Sequence, residues 1–366
     1  MDTIYINSNN IEELTKAFNN CEKNNNIKSF MLLMADTNHY KVSELEPLLK
    51  ASSKKIIGGI FPEIIFNGAR KKEGLIIIPS DETLKIATFN LDQTNEEVTD
   101  VLMQQFGEMS EISGTLMVYV DGLGSNKNAF LESIFNFFGG NVHYLGAGTG
   151  SLKFHSFPNI IGNNGLFENA GIIGHYPHKV DIGVAHGWEP ISKPLKLTKT
   201  DGKKIISINW EPAFEVYKKI VEQHSNLKFE DSTFLDLAKS YPIGIAVIDS
   251  EMLIRDPYAV EDNSILLLDS IEEGAYVNIM HGNMELLLDG AETARKKAFS
   301  NKNEKKKVFC IDCISRVLYM NEDFDKELTI IQKEGKVNGA LSLGEIANIG
   351  ESFLECYNKT VVVAKW

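Results

Sequence analysis

A mixed α/β fold, its sheets largely antiparallel and flanked by helices, in two parts, is the architecture the sequence predicts. Three observations point there. Apolar strand-like runs follow one another directly at 64–66, 74–78 and 84–90, whereas strict strand–helix alternation would imply a parallel doubly wound sheet. Helix-period segments with cap residues are interspersed among them. Finally, no repeat, low-complexity tract or proline-rich linker breaks the 366 residues, a length that suits two domains of ~100–200 residues each.

The elements follow in order. Asn10 caps a helix whose Ile11, Leu14, Phe18 and Cys21 share one face, and the run 29–35 (SFMLLMA) is a buried strand. Ser43 leads a short helix to Leu49, and 55–60 is the next strand. Asn67-Gly68 and Ser80-Asp81 mark turns in the strand train that follows. Thr94 caps a helix through Phe106, 115–120 is an apolar strand, and Ser125 with Asn126 starts a helix through Phe138. Residues 142–210 are strand-rich with glycine turns, then 211–223 and 232–239 are helical. From Ile243 the pattern is strand, helix (285–300), strand (307–314), helix (323–332), strand (339–342) and a last strand at 359–366. The polar stretch 224–231 (HSNLKFED) divides the chain into domains 1–226 and 227–366.

Composition narrows function. A net charge of −13 disfavours sequence-independent binding to nucleic acid or to anionic membranes. The basic stretch 295–307 (RKKAFSNKNEKKK) reads as a solvated helix end and turn. The first ten residues carry no basic and apolar signal-peptide regions, and no apolar run approaches the ~18–20 residues of a membrane span. Four scattered cysteines suit a reducing compartment, so a cytoplasmic location is expected.

Several constellations are candidates for chemistry. Tyr144–Gly150 (YLGAGTG) reads either as a flexible turn or as a loop whose Gly146, Gly148 and Gly150 let backbone approach a ligand closely. The following SLKFHSFP ends in proline and opens no helix, which argues against a dinucleotide fingerprint. Ser125 lacks the G-x-S-x-G spacing of a hydrolase nucleophile. His155, His175, His178 and His186 do not sit at metal-binding spacing, and a single axial histidine for haem would leave no motif. Cys310 and Cys313 lie three apart on a strand and point to opposite faces, against a zinc pair. Cys313 beside Arg316 reads either as a buried thiol next to a structural arginine or as a thiol and anion clamp activated by the guanidinium.

Separated segments then agree on one family. Gly187-Trp188-Glu189-Pro190, Leu197–Gly202 and Pro212–Tyr217 resemble the G-W-x-P, v-T-x-a-x-g and p-A-l-e-v-Y run of FIST proteins. Residues 55–68, Asp121-Gly122-Leu123 and 145–150 are similar to that family's earlier pieces. Ile254-Arg255-Asp256, Glu273-Gly274, 308–316 (VFCIDCISR), Gly344-Glu345 and Asn358-Lys359-Thr360 are similar to its later ones. The order holds over residues 25–366, although Ser315 stands where the family usually has glycine. The resemblance implies a FIST N-like and a FIST C-like part in a stand-alone prokaryotic sensory protein. It implies binding of a small ligand, such as an amino acid or other small anion, rather than catalysis, with a signalling protein as possible partner. Gly146, Gly148, Gly150, Cys313, Arg316 and Glu345 are the expected ligand-binding residues, with no metal and no catalytic residue. The alternatives it leaves open are a haem-binding nitric oxide sensor and an enzyme with an unrecognised site.

Overall fold

Local chemistry sets the helix ends. In the computed structural model, which describes all residues except 39, 108–111, 232, 247–251, 302–306 and 351–352, helix Ile11–Lys23 opens at Asn10. The Asn10 side chain accepts from the Glu12 N–H, satisfying one of the amides a helix start leaves without a partner. Helix Asn95–Phe106 opens with a full capping box between Thr94 and Glu97. At helix Lys127–Phe138 the cap position is Asn126 without a side-chain hydrogen bond, and Lys127 is buried in the first turn. Part of the basic stretch, 302–306, and residue 232 of the predicted 232–239 helix lie outside the described residues; the helices seen there are Met284–Ala298 and Phe234–Ala238.

The fold is α/β with mixed, largely antiparallel sheets. The first sheet runs Ile4–Ile6, Leu75–Ser80, Ser29–Ala35, Lys55–Phe61, Ile160–Gly162, Gly165–Phe167. The second runs Cys356–Tyr357, Glu345–Asn348, Val142–Thr149, Gly114–Asp121, Ala170–Tyr176, Lys85–Asn90. The third runs Asp181–Ala185, Val361–Lys365, Val308–Cys313, Val337–Ser342, Glu63–Phe66, Ala69–Lys71. Each contains one parallel pair joined through helix: Ser29–Ala35 with Lys55–Phe61, Gly114–Asp121 with Val142–Thr149, and Val308–Cys313 with Val337–Ser342. A parallel pair needs such a crossover, while the antiparallel neighbours need only short turns. The fourth sheet, centred on Tyr276–His281, Leu195–Asp201 and Lys204–Ile208, is antiparallel.

The first three sheets turn their inner faces to one core, where Met31, Phe61, Tyr119, Leu145, Phe309, Ile311 and Val362 pack together. Their outer faces are covered by helices: Ile11–Lys23 on the first, Asn95–Phe106 and Lys127–Phe138 on the second, Met284–Ala298 and Phe324–Ile331 on the third. The fourth sheet packs its own core against helix Ala213–Ser225. Strands from both ends of the chain therefore meet in the middle of the molecule.

Two local readings change. The segment YLGAGTG is not a loop, because Val142–Thr149 is a strand buried between neighbours. Its glycines serve protein–protein approach: a Cβ on Gly146 would stand 1.7 Å from the Val118 carbonyl oxygen. Gly146→Ala is accordingly expected to cost upwards of about 3 kcal/mol, since the obstacle is backbone and cannot rotate away. An unchanged urea midpoint would contradict this. The second change is helix Ile314–Met320, which follows the Val308–Cys313 strand at once and was hidden by the β-branched continuation of that strand.

Candidate functional site

The segments singled out in the sequence converge on one turn, Asn358-Lys359-Thr360, which leads into the final strand. Lys359 holds φ +53°, a left-handed conformation that a lysine adopts at a conformational cost. Partners from distant parts of the chain secure it. Trp188 Nε1 donates to the Lys359 carbonyl at 3.1 Å and Arg316 Nη1 to the same oxygen at 3.3 Å. The Cys313 amide donates to the Thr360 carbonyl at 3.2 Å, and the Thr360 amide donates to Glu345 Oε2 at 3.3 Å. Asn358 Nδ2 donates to Asp269 Oδ2 at 2.7 Å.

The side chains form two layers of buried charge. In the first, Lys359 Nζ lies 3.1 Å from Asp256 Oδ1, donates to the Lys239 carbonyl at 3.1 Å, and sits 4.9 Å over the Trp188 ring. Lys127 Nζ lies 2.7 Å from Asp269 Oδ1 and donates to the Gly122 carbonyl at 2.9 Å. Burial by itself would raise the Asp269 pKa, but the Lys127 and Arg255 charges pull it down to about 2. Asp256 goes the other way: burial raises it, against the opposing pull of Lys359 and a hydrogen bond from Ser315.

The second layer is built around Arg316, which is fully buried. Its Nε donates to Glu327 Oε1 at 3.1 Å, Nη2 to both Glu327 oxygens at 2.9 Å and to the Leu287 carbonyl at 3.0 Å, and Nη1 to the His186 and Lys359 carbonyls. Every N–H of the guanidinium is thus taken by protein, so Arg316 has none left for an anion and the clamp expected from the sequence is a structural pin. Asp312 Oδ1 forms an ion pair with Arg316 Nε at 3.2 Å, yet neither Asp312 oxygen makes a hydrogen bond. Burial, then the Glu327 charge, push its pKa well above the ordinary carboxylate range, against the opposing pull of Arg316.

Cys313 and Glu345 adjoin this layer. Burial, then the Glu345 charge, push the Cys313 thiol well above its ordinary pKa, the reverse of activation by Arg316. Glu345 Oε1 accepts from Ser342 Oγ at 2.8 Å, and burial raises its pKa to about 8. The expected residues are therefore brought close: the Gly148 amide donates to the Gly344 carbonyl at 2.8 Å, next to Glu345, while Gly146 sits deeper, paired with Ile346. Gly150 packs against Leu343 rather than facing an opening. Ser315 is half-buried in the first turn of its helix, with Oγ 3.0 Å from Cys313 Sγ and a hydrogen bond to Asp256.

Sequence reasoning placed Asp256, Lys359 and Trp188 inside motif segments but not in the site. The signal was there: a carboxylate, a lysine and a tryptophan each belong to an ordered family segment. Asp312 likewise lies inside the 308–316 segment, whereas Lys127, Asp269 and Glu327 had no such signal. Among the described residues no group of three His, Cys, Asp or Glu side chains is placed to hold a metal, and no helix is long and apolar enough to cross a membrane. Of the histidines noted in the sequence, His175 bonds the Ser113 carbonyl and His178 pairs with Glu82 away from this site, while His186 lies in it, its Nδ1 accepting from the Trp188 amide at 2.8 Å.

Comparison with known proteins covers most of the chain. A model of the FIST N domain matches residues 29–211 and a model of the FIST C domain residues 213–348. An uncharacterised protein of Methanocaldococcus jannaschii is 24% identical over 154 residues, covering 40% of this chain and 30% of its own length.

Proposed function

The chain belongs to the FIST family, whose domains act in sensory signal transduction, and from that premise we propose that it senses a small zwitterionic or anionic ligand of the amino-acid kind. The observation that carries this reading is the Asp256–Lys359 pair. Its two charges lie 3.1 Å apart, and the Asp256 side chain keeps 11% of its surface exposed beneath the half-buried Ser315. An ammonium and a carboxylate on one small molecule can exchange partners with such a pair, and no buried charge is left alone in either state. Ser315 supplies a hydroxyl beside the pair. The absence of an activated nucleophile among these groups favours binding over catalysis: the thiol is held protonated and the guanidinium is saturated.

Signalling follows from what the pair is attached to. Lys359 belongs to the strained turn that Trp188, Arg316, Cys313 and Glu345 secure, so displacing its ammonium bears directly on contacts to four distant segments.

A ligand present at a hundred times its Kd adds about 2.7 kcal/mol to stability, which a thermal-shift panel of amino acids and small carboxylates detects. At least one compound is expected to raise the melting temperature of the parent chain, while Asp256→Asn and Lys359→Met lose that shift. If folded Asp256→Asn and Lys359→Met proteins both keep the full shift, the ligand does not sit at this pair.

A further inference from the structure

A tryptophan stands where its chemistry is least expected. Strands Lys204–Ile208 and Glu211–Pro212 pair antiparallel with Ile208 opposite Glu211, so Asn209 and Trp210 are the two central residues of a tight hairpin turn. Both have positive φ, +50° and +65°. That is the pattern of a type I′ turn, which favours Asn at the first position and Gly at the second. Asn209 obeys the rule; Trp210 breaks it, with a bulky side chain in left-handed backbone. The residue is also 80% exposed, so it gains little burial in return. Backbone conformation and hydrophobic burial independently make it a poor residue for the stability of the isolated chain.

The turn is nevertheless rigidly held. The Lys196 amide donates to Asn209 Oδ1 at 3.0 Å, the Asn209 amide to the Lys196 carbonyl at 2.9 Å, and the Trp210 amide to Thr198 Oγ1 at 3.0 Å. Thr198 Oγ1 is in turn 2.7 Å from Ser207 Oγ. Lys196 is also the register partner of Tyr276, a residue 57% exposed. The fourth sheet thus presents a fixed, protruding tryptophan with a lysine and a second exposed aromatic on neighbouring strands. Among the described residues no carboxylate lies within ion-pair distance of Lys196 or Lys199, whereas nearby Lys204 is paired with Glu261.

We propose that Trp210 is the anchor of a protein–protein contact, inserting into an apolar socket of a partner protein whose rim carries carboxylates for Lys196 and Lys199. A protruding indole fits a concave receiver, and tryptophan is the residue most often found at the energetic centre of interfaces. The chain's net charge of −13 turns away nucleic acid and anionic membrane, while an acidic rim is drawn to the local lysines. Strain kept at an exposed position is the mark of a residue retained for a contact rather than for the fold.

The test combines stability with binding. Trp210→Gly leaves the melting temperature unchanged or raises it by roughly 2 °C, because glycine suits the turn; Trp210→Asn, which also tolerates this backbone, behaves alike. A photo-crosslinking amino acid at position 210, expressed in the protein's own host, forms an adduct with one other protein that the same probe at exposed Leu235 does not form. That protein, purified, binds the parent chain in calorimetry, and Trp210→Gly weakens binding by roughly a hundredfold. Lys196→Glu slows association by roughly tenfold. Four results each overturn the proposal: a lower melting temperature in both Trp210 variants, no adduct beyond the control, an adduct only between two copies of the chain, or equal binding of the Trp210→Gly protein.

Discussion

Arg316→Ala is expected to lower the unfolding free energy by about 3–5 kcal/mol, enough to leave little of the chain folded if its stability is ordinary. The cost comes from what the substitution strands rather than from the bond energy it removes. Glu327 has no exposed surface, and its carboxylate depends on the bidentate contact at 2.9 Å. The His186, Leu287 and Lys359 carbonyls lose a donor in the same step. Lysine at this position does not restore the fork, because one ammonium cannot face Glu327 and three carbonyls spread around a planar group. A double variant, Arg316→Met with Glu327→Leu, removes both charges and should recover most of the loss, since the penalty is that of an unpaired buried ion. Urea unfolding of the three proteins decides the matter. An Arg316→Ala midpoint close to that of the parent sinks the claim that this residue pins the turn.

How much of this was legible beforehand depends on the range of the interaction concerned. Short-range chemistry was readable: Asn10 and Thr94 cap helices as their residue types demand, and the direct succession of strands announced a mixed sheet. The Val142–Thr149 strand misled because glycine is usually punctuation. Yet Gly146, Gly148 and Gly150 recur with period two, the spacing of one strand face, and that regularity was the available clue. Helix Ile314–Met320 was masked by an isoleucine that suits a strand equally well. For the site, the ordered family segments identified which pieces matter. They could not say that Arg316 would be saturated, since Glu327 and the three carbonyls reach it only through the fold. The same holds for Lys127 and Asp269, which are far apart in sequence and 2.7 Å apart in space. Charges that must find one another across the whole chain leave no local pattern.

Glu345 ties the stability of this arrangement to pH. Burial raises its pKa from 4.5 to about 8 in the folded chain. Between those values the folded state holds a proton that the unfolded state has released, so stability falls as pH rises, by about 1.4 kcal/mol per unit. From about pH 5 to pH 8 the loss attributable to Glu345 approaches roughly 4 kcal/mol, and the raised pKa of Asp312 acts in the same direction. Asp269 acts oppositely and lower on the scale: its depressed pKa of about 2 contributes stability that is lost as the solution is acidified through the range below its ordinary value of 3.8. The chain should therefore be most stable in mildly acidic solution. Glu345→Gln is expected to flatten the alkaline limb. A glutamine can accept from the Thr360 amide with its oxygen, and its nitrogen then faces Ser342 Oγ, whose hydroxyl turns from this side chain to the Asp312 carbonyl at 3.3 Å. Urea unfolding across this pH range should show a decline for the parent and a nearly level line for the variant; parallel curves would place the titration elsewhere. An ionised Glu345 would put a negative charge against Cys313 and the Thr360 amide, one residue from Lys359, so the proton on this carboxyl and the charge pair proposed to receive the ligand act on the same turn.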